Sequence, residues 1–313
     1  MTFNLLINGS GGWPLSIWLT PDLAPVTGGT YFPPKDRWGM PGFTTILQKI
    51  ASKWESDKES LTTTGISVIE AIQKSVSQKR ADGDSEDMIM SVEDKFQQAI
   101  RIYKKNWDRT WGGSLGAPKF PEVSKINLLL HSYVQTKDKE LLDIVTNTLD
   151  KIANGGIHDH IFGGFARYSV DKKWHVPHFE KMLYDQGQLL IAYVNAYKIT
   201  NSVRYLEVAE KIFKYVCKDL YHPGGGFYSG EDADSLPEHT SVDKIEGAFY
   251  AFAYGEVEEL FEENKSKFTE YKSLKPFDIY SYHFDIQEDG NVEPGKIERF
   301  SFIQGSLLND LIL

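Results

Sequence analysis

Three glycine-bearing loops that separate helix-like segments constrain the fold of this chain more than any other feature. They lie at residues 111–121, 155–177 and 224–228, and each carries a Gly-Gly pair close to an aromatic residue. Between one loop and the next, the chain crosses two helix-like segments, out and back, so all three loops return to the same end. Repeated helical hairpins with long loops on one rim indicate an α-solenoid or an α/α toroid.

The apolar residues between these loops recur with the spacing of amphipathic helices. The predicted helical segments are 43–54, 66–76, 92–107, 126–135, 141–153, 179–197, 205–220 and 254–261. The loops return at intervals on the order of 50 to 60 residues, which suits the hairpins of a toroid. A closed ring of about six such hairpins needs more than about 300 residues, so this chain has room for about four. We therefore predict a mainly α chain that forms a partial (α/α) six-hairpin toroid.

The first part of the chain has a different pattern. The β-rich residues 15–20, a turn with two prolines, and residues 26–32 predict a β-hairpin, which helices then follow. A polar stretch at 77–87 has almost no apolar residues, and we interpret it as a linker. The chain then divides into two lobes, residues 1–80 and residues 81–313.

The charge of the chain excludes several classes of partner. The 44 acidic residues against 34 basic residues give a formal net charge of −10. This argues against a nucleic-acid or membrane partner, because both require clustered Lys and Arg. No apolar run approaches the roughly 20 residues of a membrane-spanning helix, and the first residues lack the features of a signal peptide. We expect a soluble protein of the cytoplasm or of an organelle matrix.

Cys217 is the single cysteine of the chain. It can form no internal disulfide, so the chain as given cannot act as a dithiol oxidoreductase by itself. Its apolar-flanked position in a helical stretch predicts a small, buried, chemically inert side chain.

The second loop and the residues after it hold the densest group of reactive side chains. They are Asp159, His160, Arg167, Tyr168, Asp171, Trp174, His175, His178, Glu180, Lys181 and Asp185. If residues 179–197 are helical, His178, Lys181 and Asp185 fall on one narrow stripe of an otherwise apolar helix. Such a stripe favours a wall that faces an internal cleft, because buried polar groups need partners or a ligand. Alternatively, His178 caps the helix while Lys181 and Asp185 pair at the surface.

Three carboxylates follow the third loop within four residues, at Glu231, Asp232 and Asp234. Neighbouring carboxylates raise one another's pKa, so an acid and a base can coexist near neutral pH. The alternative is a solvated acidic loop that caps a neighbouring helix. Aromatic side chains on the loops are suited to hold the apolar faces of sugar rings. These aromatic residues are Phe120, Phe165, Phe227 and Tyr228.

Two pairs of histidines have the spacing of metal ligands, His158 with His160 and His175 with His178. None of the specific zinc signatures is present, however, and histidines in aromatic-rich loops commonly serve as hydrogen-bonding groups. Neither of the common glycine-rich phosphate-binding motifs occurs. We therefore predict no metal site and no cofactor.

Five motifs of this chain resemble those of the spermatogenesis-associated protein 20 family. They lie at residues 11–15, 28–34, 117–121, 174–185 and 226–235. The run Trp-His-Val-Pro-His-Phe-Glu-Lys-Met-Leu-Tyr-Asp is highly specific, and the resemblance extends to about Pro294. It implies a thioredoxin-like lobe followed by a six-hairpin α/α toroid similar to N-acylglucosamine 2-epimerases and related glycosidases.

The chain also departs from the family pattern. The family's thioredoxin-like lobe carries a Cys-x-x-Cys motif well upstream of Gly11, and this motif is absent here. Pro14 resembles the cis-proline that faces the motif in the family. The residues from Gly295 onward diverge, and the later hairpins are absent. We expect an incomplete thioredoxin-like α/β lobe and a chain truncated at both ends.

The fold analogy suggests a sugar-like small molecule bound at the loop end of the toroid, with acid–base chemistry of the epimerase or isomerase type. In that reaction, His178 or His175 removes a proton from a carbon beside a carbonyl group. Asp185 or Glu231 then returns the proton.

Glycosidase-type chemistry is the second enzymatic possibility. Asp159, together with Asp232 or Asp234, would then supply the acid and the base. For either reaction we expect a common set of substrate-binding residues. They are Lys119, Phe120, His160, Phe165, Arg167, Tyr168, Trp174, Lys181, Phe227 and Tyr228.

A binding protein without catalytic activity is the alternative from another class. The surface around Trp13 and Pro14 would then dock an extended peptide or a protein partner, and the toroid would be catalytically silent. The missing cysteine pair favours such an adaptor. A third possibility is an inactive fragment.

Overall fold

The computed structural model describes residues 3–5, 9, 11–37, 39–84, 91–268, 274–291 and 301–302. The chain divides into two compact units, Met1–Met90 and Ser91–Leu313. The described part of the first unit includes a β-hairpin and helices, and that of the second includes helical hairpins.

The first unit contains the expected hairpin. Strand β1 (Ser16–Leu19) pairs antiparallel with β2 (Pro25–Gly29). Helix α1 (Phe43–Ser56) begins at the predicted residue, and α2 (Lys58–Asp84) packs against β2.

The prediction of a linker at 77–87 is wrong over its first part, because α2 continues to Asp84. Residues 85–87 lie outside the described residues. The stretch is polar, but Gln, Lys, Arg and Ala are good helix formers and do not need an apolar face to continue a helix. Polarity alone therefore did not distinguish a helix from a linker.

Seven α-helices are described in the second unit. They are α3 (Val92–Lys105), α4 (Val123–Thr136), α5 (Lys139–Asn154), α6 (Leu183–Thr200), α7 (Val203–Tyr215), α8 (Tyr254–Glu263) and α9 (Pro276–Phe284). Tight turns join α4 to α5 and α6 to α7, and each turn has one residue in the left-handed region, Lys137 and Asn201. The structure confirms a mainly α chain whose second unit contains helical hairpins.

The main core lies between α4, α5, α6 and α7. Leu149, Ile152, Leu189 and Ile212 are fully buried in it. Tyr193 is also fully buried, and its hydroxyl donates a hydrogen bond to the Leu149 carbonyl at 2.9 Å. These helices are stabilised chiefly by the apolar faces that they bury against each other.

The helix predicted at 179–197 begins only at Leu183. The preceding residues are extended and form two short strands, β4 (Pro177–His178) and β5 (Lys181–Met182). Strand β4 pairs with β3 (Tyr168–Ser169), and β5 pairs with β6 (Gly230–Glu231). Because the backbone of these residues pairs with strands β3 and β6, the helical stripe expected for His178, Lys181 and Asp185 does not form.

Helix α7 also differs from its prediction, because it ends at Tyr215 and a π-helical turn, Val216–Leu220, completes the segment. This turn leaves Cys217 exposed. The expectation of a buried cysteine is therefore wrong.

The remaining short elements follow the third loop. Strand β7 (Asp234–Ser235) pairs with β8 (Ile245–Glu246), and β9 (Ala251–Phe252) pairs with β10 (Ser301–Phe302). Two 3-10 turns lie at Ala248–Tyr250 and Lys265–Lys267. Within the residues described, no helix is long and apolar enough to cross a membrane.

Candidate functional site

The first two glycine loops are structural repeats of each other. In the first, the Asp108 N–H donates to the Gly113 carbonyl and the Gly112 N–H donates to the Asp108 carbonyl, at 2.9 and 2.8 Å. In the second, Asp159 forms the same two bonds with Gly164 and Gly163, both at 3.0 Å. Each aspartate also accepts hydrogen bonds from the backbone N–H groups two and three residues later. The Asp-x-x-x-Gly-Gly sequence therefore encodes one closed loop, which occurs twice.

A buried lysine completes each of these loops. Lys119 Nζ lies 2.8 Å from Asp108 Oδ2 and donates to the Gly112 carbonyl at 2.8 Å. Lys181 Nζ lies 2.7 Å from Asp159 Oδ2 and donates to the Gly163 carbonyl at 3.1 Å. The lysines are only 2% and 3% exposed. A charge buried this deeply requires its partner, so both pairs hold their loops closed.

An aromatic ring lies beneath each lysine. The Trp174 ring centroid is 5.4 Å from Lys119 Nζ, and the Tyr215 centroid is 4.5 Å from Lys181 Nζ. The second glycine of each pair packs on the same ring. An added Cβ would lie 2.8 Å from a Trp174 ring atom at Gly113 and 2.5 Å from a Tyr215 ring atom at Gly164, so no larger residue fits at either position. The Gly-Gly pairs are therefore explained by close packing.

The third loop departs from this pattern. His222 occupies the position of the aspartate. Its backbone N–H donates to the Gly226 carbonyl, and its backbone carbonyl accepts from the Gly225 N–H. The predicted sugar-holding residues Phe227 and Tyr228 are each 51% exposed and pack on Tyr221 and His222.

The extended residues 177–182 present alternate side chains to opposite sides. Phe179 and Lys181, on one side, are 5% and 3% exposed. His178 and Glu180, on the other side, remain partly accessible, with side chains 27% and 29% exposed. The predicted site residues His178 and Lys181 therefore point away from each other.

His178 forms a hydrogen-bonded pair with Glu246. Its Nδ1 lies 2.7 Å from Glu246 Oε1 and must be the donor, since a carboxylate only accepts. The hydrogen bond to Glu246 raises the pKa of His178, and the same bond lowers the pKa of Glu246. Nε2 of the imidazole remains available on the accessible side, 3.9 Å from Glu180 Oε2.

Aromatic rings flank this histidine. The Tyr168 ring stacks on the His178 ring with centroids 4.9 Å apart, and Phe120 packs on Tyr168 at 4.6 Å. Phe120 is 41% exposed. The three rings form a partly accessible platform beside charged groups, an arrangement suited to a sugar ring.

An ion pair and a buried carboxyl complete the group. Arg167 lies 3.0 Å from Glu180, and the charges of both act on Asp185. Burial raises the pKa of Asp185 to about 6. Its Oδ2 has no hydrogen-bond partner among the described residues. We call the complete set the His178 cluster: Phe120, Arg167, Tyr168, His178, Glu180, Asp185 and Glu246.

Several predicted substrate-binding residues are instead part of the core. Trp174 and Phe165 are fully buried, and Lys119 and Lys181 are held in the loop pairs described above. Trp174 Nε1 donates to the Trp111 carbonyl at 2.7 Å. We correct these four assignments, because a ligand could reach these side chains only by displacing their present partners.

His158 and His160 lie against this core. His158 Nδ1 donates to the Ala153 carbonyl at 2.8 Å, and His160 Nε2 donates to the Gly155 carbonyl at 3.1 Å. Burial lowers the pKa of His158 well below its usual value and lowers the pKa of His160 to about 4. Both are therefore neutral near pH 7. Within the part of the chain that the structure describes, no group of three or more His, Cys, Asp or Glu could hold a metal ion.

The remaining predicted acids and bases are dispersed. His175 Nε2 donates to the Asn291 carbonyl at 2.7 Å. Asp232 pairs with Lys244 at 3.1 Å on an exposed hairpin, and Asp234 is also exposed. Glu231 lies near the buried Tyr215 ring and the half-buried Tyr250 ring, where burial and this carboxylate raise the pKa of Tyr250.

Sequence reasoning listed Glu180 among the reactive side chains but gave it no role in the site, and it missed Glu246. Glu180 lies two positions after His178, so an extended assignment of this segment would have placed both on one side. Glu246 is 68 residues away from its partner. Nothing local in the sequence indicates that pairing.

On the buried side of residues 177–182 lies a small cleft of about 40 Å³. Its wall includes Phe162, Phe179, Phe249 and Tyr250, and the ion-paired Lys181. This cleft is mostly apolar, and the chemistry-bearing groups of the His178 cluster are on the opposite side.

Asp185→Asn is expected to stabilise the protein at pH 7.5 by on the order of 1 to 2 kcal/mol, after allowance for solvent screening. The pKa of Asp185 in the folded chain, about 6, is above its ordinary 3.8. The carboxyl therefore destabilises the fold increasingly as the pH rises from 3.8 through 6, and hardly at all below that range. Urea unfolding at pH 7.5 and pH 4 measures the difference. An equal effect at both pH values would contradict the prediction.

Comparisons with known proteins cover nearly the whole chain. A thioredoxin-like family model, Thioredox_DsbH, described as a protein of unknown function (DUF255), matches residues 1–73. The chain is 40% identical to the uncharacterized protein B0495.5 of Caenorhabditis elegans, over 100% of this chain and 41% of that protein. It is 39% identical to spermatogenesis-associated protein 20 of Homo sapiens, over 95% of this chain and 37% of that protein. The chain thus spans about two fifths of the length of these relatives.

Solved structures show a more distant likeness. A sugar epimerase from a ruminal bacterium aligns with a TM-score of 0.40 and 18% identity, over 56% of this chain and 48% of that one. Cellobiose 2-epimerase from Bacillus thermoamylovorans B4167 aligns with a TM-score of 0.39 and 17% identity, over 48% of this chain and 45% of that one. Likeness at this level says nothing about the reaction.

Proposed function

We propose a function from the side chains of this chain, because it belongs to the spermatogenesis-associated protein 20 family, whose name specifies no reaction. The His178 cluster binds a sugar-like molecule and exchanges a proton on it. One observation carries the proposal. His178 is oriented by Glu246 at 2.7 Å and stacked on Tyr168, while its other nitrogen remains available. An imidazole held by a carboxylate through one nitrogen is the arrangement of a general base or acid.

In the proposed reaction, neutral His178 Nε2 takes the proton from the carbon beside the sugar carbonyl. The electron pair of the broken C–H bond forms an enediol, and the carbonyl oxygen receives a proton from the carboxyl group of Asp185. In an isomerisation, the His178 imidazolium gives its proton to the neighbouring carbon, and the Asp185 carboxylate takes the proton of the hydroxyl on the first carbon, which becomes the new carbonyl. In an epimerisation, solvent protonates the first carbon from the other face, the enediol oxygen returns its proton to Asp185, and His178 releases its proton to solvent. Asp185 suits this role because its pKa of about 6 leaves both protonation states available near neutral pH.

The substrate-binding part of the proposal rests on the platform and on the ion pair. The rings of Phe120 and Tyr168 would contact the apolar face of a sugar ring, and Arg167 and Glu180 would bond its hydroxyl groups. Arg167 and Glu180 are 40% and 29% exposed in their side chains. A ligand can therefore reach them without opening the fold.

Glycosidase chemistry has less support. Asp159, one of the two carboxylates expected to serve as acid and base, already accepts hydrogen bonds from two backbone N–H groups and from Lys181. Asp232 is exposed, and hydrogen bonds from the Asp234 N–H and from Lys244 lower its pKa, so it is unsuited to donate a proton near neutral pH.

Incubation of the full chain with a panel of aldoses and ketoses in D₂O tests the proposal. We expect the wild type to replace the proton beside the carbonyl by deuterium, which NMR detects, and His178→Asn to slow the exchange by about 100-fold or more. His222→Asn, a change at an exposed histidine of the third loop, is the matched control and should exchange like the wild type.

Two outcomes would count against this function. If His178→Asn exchanges as fast as the wild type, His178 is not the base. If no sugar is exchanged or bound by the wild type, the adaptor becomes the better explanation. Trp13, which follows the family's glycine pair, is 82% exposed, and its bond to Pro14 is cis.

A further inference from the structure

Lys181 is at the meeting point of three parts of the second unit. Its Nζ pairs with Asp159 and bonds the Gly163 carbonyl of the second loop. The same nitrogen lies 4.5 Å from the Tyr215 ring centroid and 5.1 Å from the Tyr250 ring centroid. The second loop, the end of α7 and the segment 246–250 are thus joined at one buried ammonium group.

The neighbours of His178 and Glu246 pack directly on each other. Phe179, which follows His178, stacks on Tyr250 with centroids 5.4 Å apart and an interplanar angle of 17°. Gly247, which follows Glu246, lies so close to the Phe179 ring that an added Cβ would be 2.4 Å from it. The 2.7 Å separation of His178 and Glu246 on one side is therefore set by this packing on the other.

Lys181 takes part in this buried packing through its backbone and through its Nζ. Its backbone is part of the extended segment that carries His178, two residues away from Phe179, and its Nζ contacts the Tyr250 ring on which Phe179 stacks. Both Tyr250 and Glu246 are in the short segment 246–250. Lys181 thus contacts the two segments whose spacing determines whether His178 reaches Glu246.

We propose that Lys181, paired with Asp159, is a positioning residue that holds His178 in hydrogen-bonding distance of Glu246. It contacts neither residue of the pair directly and acts through Phe179 and Tyr250. The role concerns the same site as the proposed function, but its test reads the titration of an imidazole and needs no substrate.

The repeat supplies a matched control. Lys119 and Asp108 form the equivalent pair in the first loop, at 2.8 Å, over Trp174. Replacing either pair by Met and Asn removes one buried cation and one buried anion together, so neither change leaves an uncompensated charge. The two double variants, Asp159→Asn/Lys181→Met and Asp108→Asn/Lys119→Met, differ mainly in which loop they loosen.

The sign of the change separates positioning from a direct charge effect. The groups facing His178 are Glu246, Glu180, Arg167 and Tyr168. Loss of a nearby cation by itself would raise the pKa of an imidazole. Loss of the Glu246 hydrogen bond would lower it, because that bond favours the charged ring.

NMR titration of the His178 ring in the full chain without ligand tests the proposal. We expect a pKa above 6.5 in the wild type, a fall toward 6.5 in Asp159→Asn/Lys181→Met, and no change in Asp108→Asn/Lys119→Met. Lys181→Arg, which retains the cation, should keep most of the wild-type value and covers the case in which the double variant does not fold. Any of three results would overturn the proposal. The pKa of His178 could stay unchanged or rise in Asp159→Asn/Lys181→Met, or it could fall equally in both double variants. It could also fall in Lys181→Arg as much as in Asp159→Asn/Lys181→Met. Failure of every sugar assay would leave this result unaffected.

Discussion

Asp108→Asn lowers the free energy of unfolding by about 3 to 5 kcal/mol, because it leaves the ammonium group of Lys119 buried without its counter-ion. Lys119 is 2% exposed, and its remaining polar partner is the Gly112 carbonyl at 2.8 Å. The Asn side chain can still accept the N–H groups of Thr110 and Trp111, so the loss reports the missing charge. Urea unfolding followed by circular dichroism measures it.

The double variant Asp108→Asn/Lys119→Met is the control for this prediction. It should recover a large part of the loss, since an apolar side chain can replace a buried ion pair at little net cost. The difference between single and double variants gives the coupling energy of the pair. A loss below about 1 kcal/mol in the single variant would show that Lys119 finds water or another acceptor.

Trp174→Ala is expected to cost about 3 to 5 kcal/mol, the range for removing a large aromatic side chain from a core. The indole is fully buried and donates to the Trp111 carbonyl at 2.7 Å. Gly113 and Gly155 pack against it so closely that a Cβ on either would lie within 2.8 Å of a Trp174 atom. Its loss therefore leaves a cavity between the first and second loops and an unpaired carbonyl.

Two further variants calibrate this prediction. Trp174→Phe fills part of the cavity but lacks the N–H donor, so its loss should lie between the wild type and Trp174→Ala. Trp13→Ala removes the same kind of side chain from a position that is 82% exposed, and should change the stability by less than about 0.5 kcal/mol. Thermal unfolding measures the midpoint of each variant. Equal midpoints for Trp174→Ala and Trp13→Ala would contradict the proposed packing.

The opposite sides of the extended segment 177–182 have different physical roles. On the buried side, Phe179 and Lys181 fix the backbone by stacking and by ion pairing. On the accessible side, the fixed backbone holds His178 against Glu246. The unpartnered carboxyl oxygen of Asp185 lies in the same cluster. Such a group costs stability in the unliganded chain. Under the proposed function, the same carboxyl group would exchange a proton with the substrate carbonyl.

Local patterns in the sequence predicted most of the helices and marked the glycine loops. Apolar spacing placed α1 at its first residue. It also identified α4, α5 and α7, because each of these three helices buries one face against a neighbour and the spacing records that face. The Gly-Gly pairs marked the loops correctly. The short α9 was not predicted, since its nine residues include four aromatics without clear helical spacing.

The site residues show where local information ended. His178, Asp185, Arg167 and Tyr168 were selected from one reactive stretch, and the structure brings them into one cluster. The stretch also contained Trp174 and Lys181, which the sequence could not distinguish from them. Whether a polar or aromatic residue is buried and paired depends on which distant segment covers it.

The sequence by itself therefore determined the mainly α fold, the helical hairpins and the loops that carry the reactive residues, because spacing and turn chemistry act over a few residues. Only the tertiary structure decided that residues 177–182 are extended, since their backbone groups bond to strands β3 and β6. It also decided that Glu246 pairs with His178, and that Lys119 and Lys181 are buried in ion pairs. Glu246 and strand β6 lie far from segment 177–182 in the chain, and the burial of the two lysines depends on how the helices and loops pack around them.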